Sequence, residues 1–127
     1  MKTKQNRPKF LNLLQIHLPV TGVNSIAHRI SGALMSLAIP GLIYLFGLTI
    51  KDAASFDRFV TISASTPFKV VLTLLAWSLA HHVLSGIRFL LADINIGMSL
   101  VAARWLAWLA NIGGVVILIG LGCVIWL

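Results

Sequence analysis

Two neighbouring imidazoles, His81 and His82, lie inside a run of residues, 70–87, that carries no formal charge. A polar ring among hydrocarbon is unfavourable and therefore a functional candidate. Adjacent helical residues point about 100° apart, so the two rings cannot serve one metal together. One can be a ligand while the other faces elsewhere. Ser78, His82 and Gly86 follow i, i+4 spacing and share a helix face. Small residues a turn above and below an imidazole leave space for a flat macrocycle, and neutral imidazole is a standard axial ligand of haem iron. The competing reading is a histidine pair hydrogen-bonded between helices. No second ligand stands at a suitable spacing, so the chain alone does not complete a metal site.

A second constellation is Ser25, His28 and Arg29. Ser25 and Arg29 are i, i+4 and share a face at the start of the first apolar run. Arg29 brings a permanent charge and several donors, and the Ser25 hydroxyl donates or accepts. Together they can hold a quinone carbonyl oxygen at a membrane surface. His28 projects about 100° away, where it can meet an anionic group such as a haem propionate. The plainer alternative is that Arg29 snorkels to the headgroups and fixes topology.

The elements that position these residues follow from the charge distribution. The chain is 58% hydrophobic and only 10% charged, too few charges to cover a soluble domain. Residues 30–50, 70–87 and 105–127 are uncharged. Each run approaches the roughly 20 apolar residues that cross a hydrocarbon core, where bare backbone must be helical. The expected fold is an all-α membrane protein, one transmembrane domain over residues 1–127 with helices at about 25–50, 67–93 and 99–126. Thr21, Asn24 and Ser25 are cap candidates for the first helix. Pro40-Gly41 predicts a kink. Residues 51–66 form a loop whose Phe56, Phe59 and Val60 can lie along the interface. Thr66 before Pro67 reads as an N-cap. Asn95-Ile96-Gly97 reads as a turn and Ser99 as a cap. In the third span Ala110 and Gly114 have small-xxx-small spacing, and Gly113, Gly120 and Gly122 add room for helix contact. Trp105 and Trp108 mark one end of it and Trp126 the other.

The net charge of +7 does not indicate a nucleic-acid partner, because the basic residues flank the spans. Lys2, Lys4, Arg7, Lys9, Arg29, Arg88 and Arg104 fall on one side, and Lys51, Arg58 and Lys69 on the other. Seven against three predicts a cytoplasmic N-terminus and an outside C-terminus. Cys123 is the single cysteine, so no disulfide forms within the chain. Neither a cleaved signal peptide nor a mitochondrial presequence is expected. A Gly-rich phosphate loop, paired intramembrane carboxylates and a cysteine cluster are absent from the sequence, so redox partners on other chains are required.

The stretch Arg7-Pro8, followed by Ser25-Ile26-Ala27-His28-Arg29-Ile30-Ser31-Gly32, resembles the S-I-x-H-R-[IV]-[ST]-G signature of succinate dehydrogenase cytochrome b subunits. His82 to Asp93, with Gly86, Ile87 and Arg88 in place, is similar to that family's H-x-x-x-G-[IL]-R-H-[LM]-x-x-D signature. The chain departs from it at Phe89, where the family usually has histidine. The resemblance covers nearly the whole chain, the third span in type only. It implies half of a heterodimeric, haem-binding helix bundle in a bacterial inner membrane, with the C-terminus in the periplasm. A second small anchor subunit would supply the other ligand of one haem b, and a flavoprotein and an iron–sulfur subunit would dock at the cytoplasmic face. Electrons from succinate would pass to ubiquinone. The chain itself would not be catalytic toward succinate. By motif, His82 is the axial haem ligand, Ser25 and Arg29 are quinone-site residues, and His28 and Arg29 lie near the propionates. A fumarate reductase anchor working with menaquinol and a haem-free structural anchor stand as alternatives.

Overall fold

The computed structural model describes residues 17–127 and is helical without strands over that range. Four helices follow in order: α1 (Val20–Lys51), α2 (Ala53–Ser63), α3 (Thr66–Asp93) and α4 (Leu100–Trp126). Three of them, α1, α3 and α4, are long and apolar enough to cross a membrane. The basic residues from Lys2 to Lys9 lie outside the described residues.

Helix boundaries differ from the expected ones for local reasons. Pro19 is the N-cap of α1, so Thr21, Asn24 and Ser25 are helical residues, not caps. A proline directly before the first turn suits a helix start, since its missing N–H has no intrahelical use there. The helix runs through Pro40 without a break in assignment. Ser65, not Thr66, caps α3, which places Pro67 in its first turn. The segment expected as a loop contains α2. Its N-cap Asp52 accepts from the Ser55 amide at 2.7 Å, and that bond holds the Asp52 carboxyl below the ordinary carboxylate range. Phe56 and Val60, one turn apart, form an exposed apolar stripe, the arrangement of a helix lying in an interface plane.

Polarity is arranged inside out. Apart from Leu48, the buried residues among those described are small or polar, including Asn24, Ser31, Ser78, His81, Ser85, Ala107 and Ala110. Leu37 and Val124 are each 79% exposed. Such a surface is stable in hydrocarbon and a liability in water. α3 is the central helix, packed extensively on both α1 and α4, which also touch each other. Ala110 and Gly114 are buried in α4, and a Cβ at Gly114 would come within 3.3 Å of the His81 Cβ. This pair makes the close α3–α4 approach. Gly120 and Gly122 do not contribute, since a Cβ there would meet nothing within 4 Å. At the opposite end the Trp126 indole donates to the Thr73 hydroxyl at 3.1 Å.

The α3–α4 turn holds Asn95 at φ 62° and Gly97 at φ 77°. Ser99 then caps α4 by accepting from the Ala102 amide at 3.2 Å. A Cβ at Gly97 would lie 2.5 Å from Leu106 Cδ1, on top of the left-handed backbone. Gly97→Ala is therefore expected to destabilise the detergent-solubilised protein by about 1–2 kcal/mol or more. A thermal unfolding midpoint unchanged from the parent would contradict this reading of the turn.

Candidate functional site

The two histidines of α3 occupy different worlds. His82 Nδ1 lies 3.2 Å from the His28 carbonyl oxygen and 3.3 Å from Ser31 Oγ. Ser31 spends its own proton on the same His28 carbonyl, at 2.8 Å. Both groups facing Nδ1 are therefore acceptors, so Nδ1 carries the proton and Nε2 keeps a bare lone pair. A histidine that donates through one nitrogen to a backbone carbonyl while the other stays free is set up as a metal ligand.

His81 is held the other way round. Arg88 Nη1, which can only donate, lies 3.1 Å from Asn24 Oδ1. That fixes the Asn24 amide, whose Nδ2 donates to Ser85 Oγ at 2.8 Å and Asn111 Oδ1 at 3.0 Å. Asn111 Oδ1 also faces His81 Nε2 at 3.0 Å. Being an acceptor, it requires the His81 proton on Nε2. Ser85 Oγ, 3.4 Å away, then donates to His81 Nδ1. Both His81 nitrogens are used, and the ring is 2% exposed. Neighbouring histidines thus carry opposite tautomers, and only His82 has a free nitrogen.

Four of these hydrogen bonds cross between helices. Interhelical side-chain bonds in membranes average roughly 0.6 kcal/mol each, so the network adds little energy. Its effect is geometric: it ties α1, α3 and α4 at one level. Arg88, expected among the topology-setting charges, points into this network, with its guanidinium 5.0 Å from the Phe89 ring centre. Among the described residues its buried Nε has no partner. Sequence reasoning took Asn24 for a cap and passed over Asn111. A lone asparagine inside an uncharged span was the available signal.

Beside His82 a groove of about 560 Å³ runs between α1 and α3. Leu75 and Leu79 line it from α3, and Gly32, Met35, Ile39 and Leu42 from α1. The open face of α3 is therefore Leu75–Leu79–His82, not Ser78–His82–Gly86. Ser78 is turned inward and donates to the Leu74 carbonyl at 2.9 Å. The smallness that matters sits opposite on α1, since a Cβ at Gly32 would lie 3.0 Å from His82 Cε1. Ile39, Leu42 and Leu79 are about half exposed along the groove, so a flat apolar group and a further protein wall would both find surface to bury. An apolar slot with one bare imidazole nitrogen beside it fits haem iron chemistry.

His28 is brought to His82, not held apart from it. The two rings stack at 4.0 Å with 13° between their planes. Phe89 meets His28 edge-on at 5.1 Å. Ser25 is half-buried and Arg29 exposed on another face of α1. Among the described residues no hydrogen bond joins either of them to the histidine pair.

A family model described as the succinate dehydrogenase/fumarate reductase transmembrane subunit matches residues 3–122. The chain is 27% identical over 121 residues to a succinate dehydrogenase cytochrome b556 subunit of Coxiella burnetii, covering 94% of this chain and 97% of that one. It is 29% identical over 111 residues to the Rickettsia bellii protein of the same name, covering 84% and 86%. A succinate dehydrogenase hydrophobic membrane anchor subunit of Archaeoglobus fulgidus is 33% identical over 69 residues, 54% of this chain and 59% of that one.

Proposed function

The chain belongs to the family of succinate dehydrogenase/fumarate reductase transmembrane subunits, and from that premise we propose that it is the cytochrome b anchor of a succinate:ubiquinone oxidoreductase. The observation that carries the haem reading is the setting of His82, whose Nδ1 faces the His28 carbonyl at 3.2 Å and Ser31 Oγ at 3.3 Å, which assigns the proton to Nδ1 and leaves Nε2 bare. His82 would ligate the iron of a haem b shared with a second small anchor subunit. When bound, that haem supplies a one-electron store within the membrane. Ser31 and the His28 carbonyl hold the His82 ring, Gly32 gives it clearance, and the leucines of the groove exclude water. His28 and Arg29 are the candidates for propionate contacts.

Ser25 and Arg29 would bind ubiquinone at the cytoplasmic boundary, where an iron–sulfur subunit, itself joined to a flavoprotein, delivers electrons from succinate. Direction is read from the Coxiella and Rickettsia relatives, which are named for succinate oxidation. Purification of the complex with its native partners tests the whole reading. A b-type band in the reduced-minus-oxidised spectrum and succinate-dependent quinone reduction are expected. Quinone reduction without any b-type band would leave a haem-free anchor, and menaquinol-driven fumarate reduction alone would reverse the direction.

The bacterial inner membrane would be the one that houses the chain, and the basic-residue asymmetry supports an orientation with the N-terminus in the cytoplasm and the C-terminus in the periplasm. A reporter that works only outside the cytoplasm, fused after Leu127, should be active. Activity of a strictly cytoplasmic reporter at that point would overturn the orientation.

A further inference from the structure

Asn24, Ser85, His81 and Asn111 form a closed ring of hydrogen bonds. Every member of the ring has its donor and acceptor assigned by its neighbours, starting from Arg88. The ring takes one residue from α1, two from α3 and one from α4. On α3 it grips His81 and Ser85, one turn apart, and Arg88 a further turn along, so it holds a whole face of that helix. His82 follows His81 directly, about 100° round the same helix. Whatever fixes the rotation of α3 about its axis therefore fixes where the His82 ring points. At about 6 Å from the axis, a 10° rotation moves a side chain by about 1 Å. A ligand displaced by that much is held in a different orientation toward its metal.

We infer that the ring is a positioning device for His82, with Asn111 as the residue through which α4 acts on the ligand although it lies on another helix. Asn111 uses a single atom, Oδ1, to receive both Asn24 and His81. Ser85 closes the ring and can be reduced to alanine with almost no change of shape. Neither residue needs to touch the haem. The inference rests on the haem reading given above.

The test is the low-spin ferric EPR signal of the whole complex, purified with its partners, together with its haem content. Asn111→Leu and Ser85→Ala should retain haem and show shifted, broadened g-values. Asn111→Asp, which keeps the acceptor oxygen, should move the signal back toward the parent. Ile112→Ala, on the outward face of α4 and 54% exposed before substitution, should leave it unchanged. A parent complex without a b-type signal would overturn the haem reading and this inference with it. Parent-like g-values in both Asn111→Leu and Ser85→Ala would overturn the inference alone. So would an equal shift in Ile112→Ala, or failure of Asn111→Leu to assemble while Ser85→Ala keeps the parent signal. In that last case the ring would be only a clasp between helices.

Discussion

Replacing His82 by leucine is expected to remove the b-type absorbance of the purified complex, whereas His81→Leu should keep most of it. The two residues are chemically identical neighbours, so the contrast comes entirely from their partners. His82 has one nitrogen engaged by the His28 carbonyl and Ser31, and the other free beside an apolar groove. Leucine at 82 would fill that space and offer no lone pair. His81 has Asn111 on one nitrogen and Ser85 on the other. Its loss should cost stability, about 1–2 kcal/mol for the polar groups left unpaired, and disturb the spectrum without abolishing it. Haem content per assembled complex separates the two effects, because a destabilised complex yields less protein with haem still in place. Equal haem loss in both variants, or greater loss at His81, would show that the ligand had been assigned to the wrong ring.

What could be read without the structure was what depends on long runs. Residues 30–50, 70–87 and 105–127 carry no charge, and in a bilayer such runs have one solution. The Asn95–Gly97 turn and the Ser99 cap were also legible, because left-handed backbone and capping need particular residue types. The start of α1 was misplaced because Thr21, Asn24 and Ser25 are all cap-forming types, whereas Pro19, just before the first turn, is the residue at which the helix begins. Helix α2 was missed despite Phe56, Phe59 and Val60 at i, i+3, i+4 spacing; eleven residues make a weak periodic signal.

The site was legible in kind and not in wiring. A histidine in a membrane span announces itself, but its tautomer is decided by residues on other helices. Asn24 and His81 are 57 positions apart in the chain, and Asn111 is 87 beyond Asn24. Only packing shows that they meet. The same limit explains the misassigned face of α3. Spacing places Ser78 on one side of His82 and Leu75, Leu79 and Gly86 on the other. Which side opens outward is settled by the burial of Ser78 against the neighbouring helices.

Arg29→Leu and Ser25→Ala are expected to slow succinate-to-quinone electron transfer while leaving succinate oxidation with an artificial acceptor nearly intact. Reduction of a quinone needs donors on its carbonyl oxygens and two protons in all. The Ser25 hydroxyl can donate, and Arg29 can stabilise negative charge as it develops on oxygen. The Asn24 side chain is turned into the bundle and fully buried. The next residue, Ser25, therefore faces elsewhere, and Arg29 one turn on is exposed, free to meet a quinone or a partner subunit. Helix α1 has no carboxylate, so protons must arrive through water or from other subunits. Loss of one charge-stabilising donor typically costs on the order of 10²-fold in rate, the expectation for Arg29→Leu. Ser25→Ala should cost about tenfold, the equivalent of one hydrogen bond to a developing charge. Arg29→Lys should recover only part of the activity, because an ammonium lacks the planar fork. The artificial-acceptor assay decides between roles, since in the proposed complex flavin and iron–sulfur chemistry would lie upstream of the quinone. If both activities fell together, the residues would be serving assembly. If neither fell, Arg29 would be a headgroup anchor, and the quinone site would have to be sought on another face of the bundle.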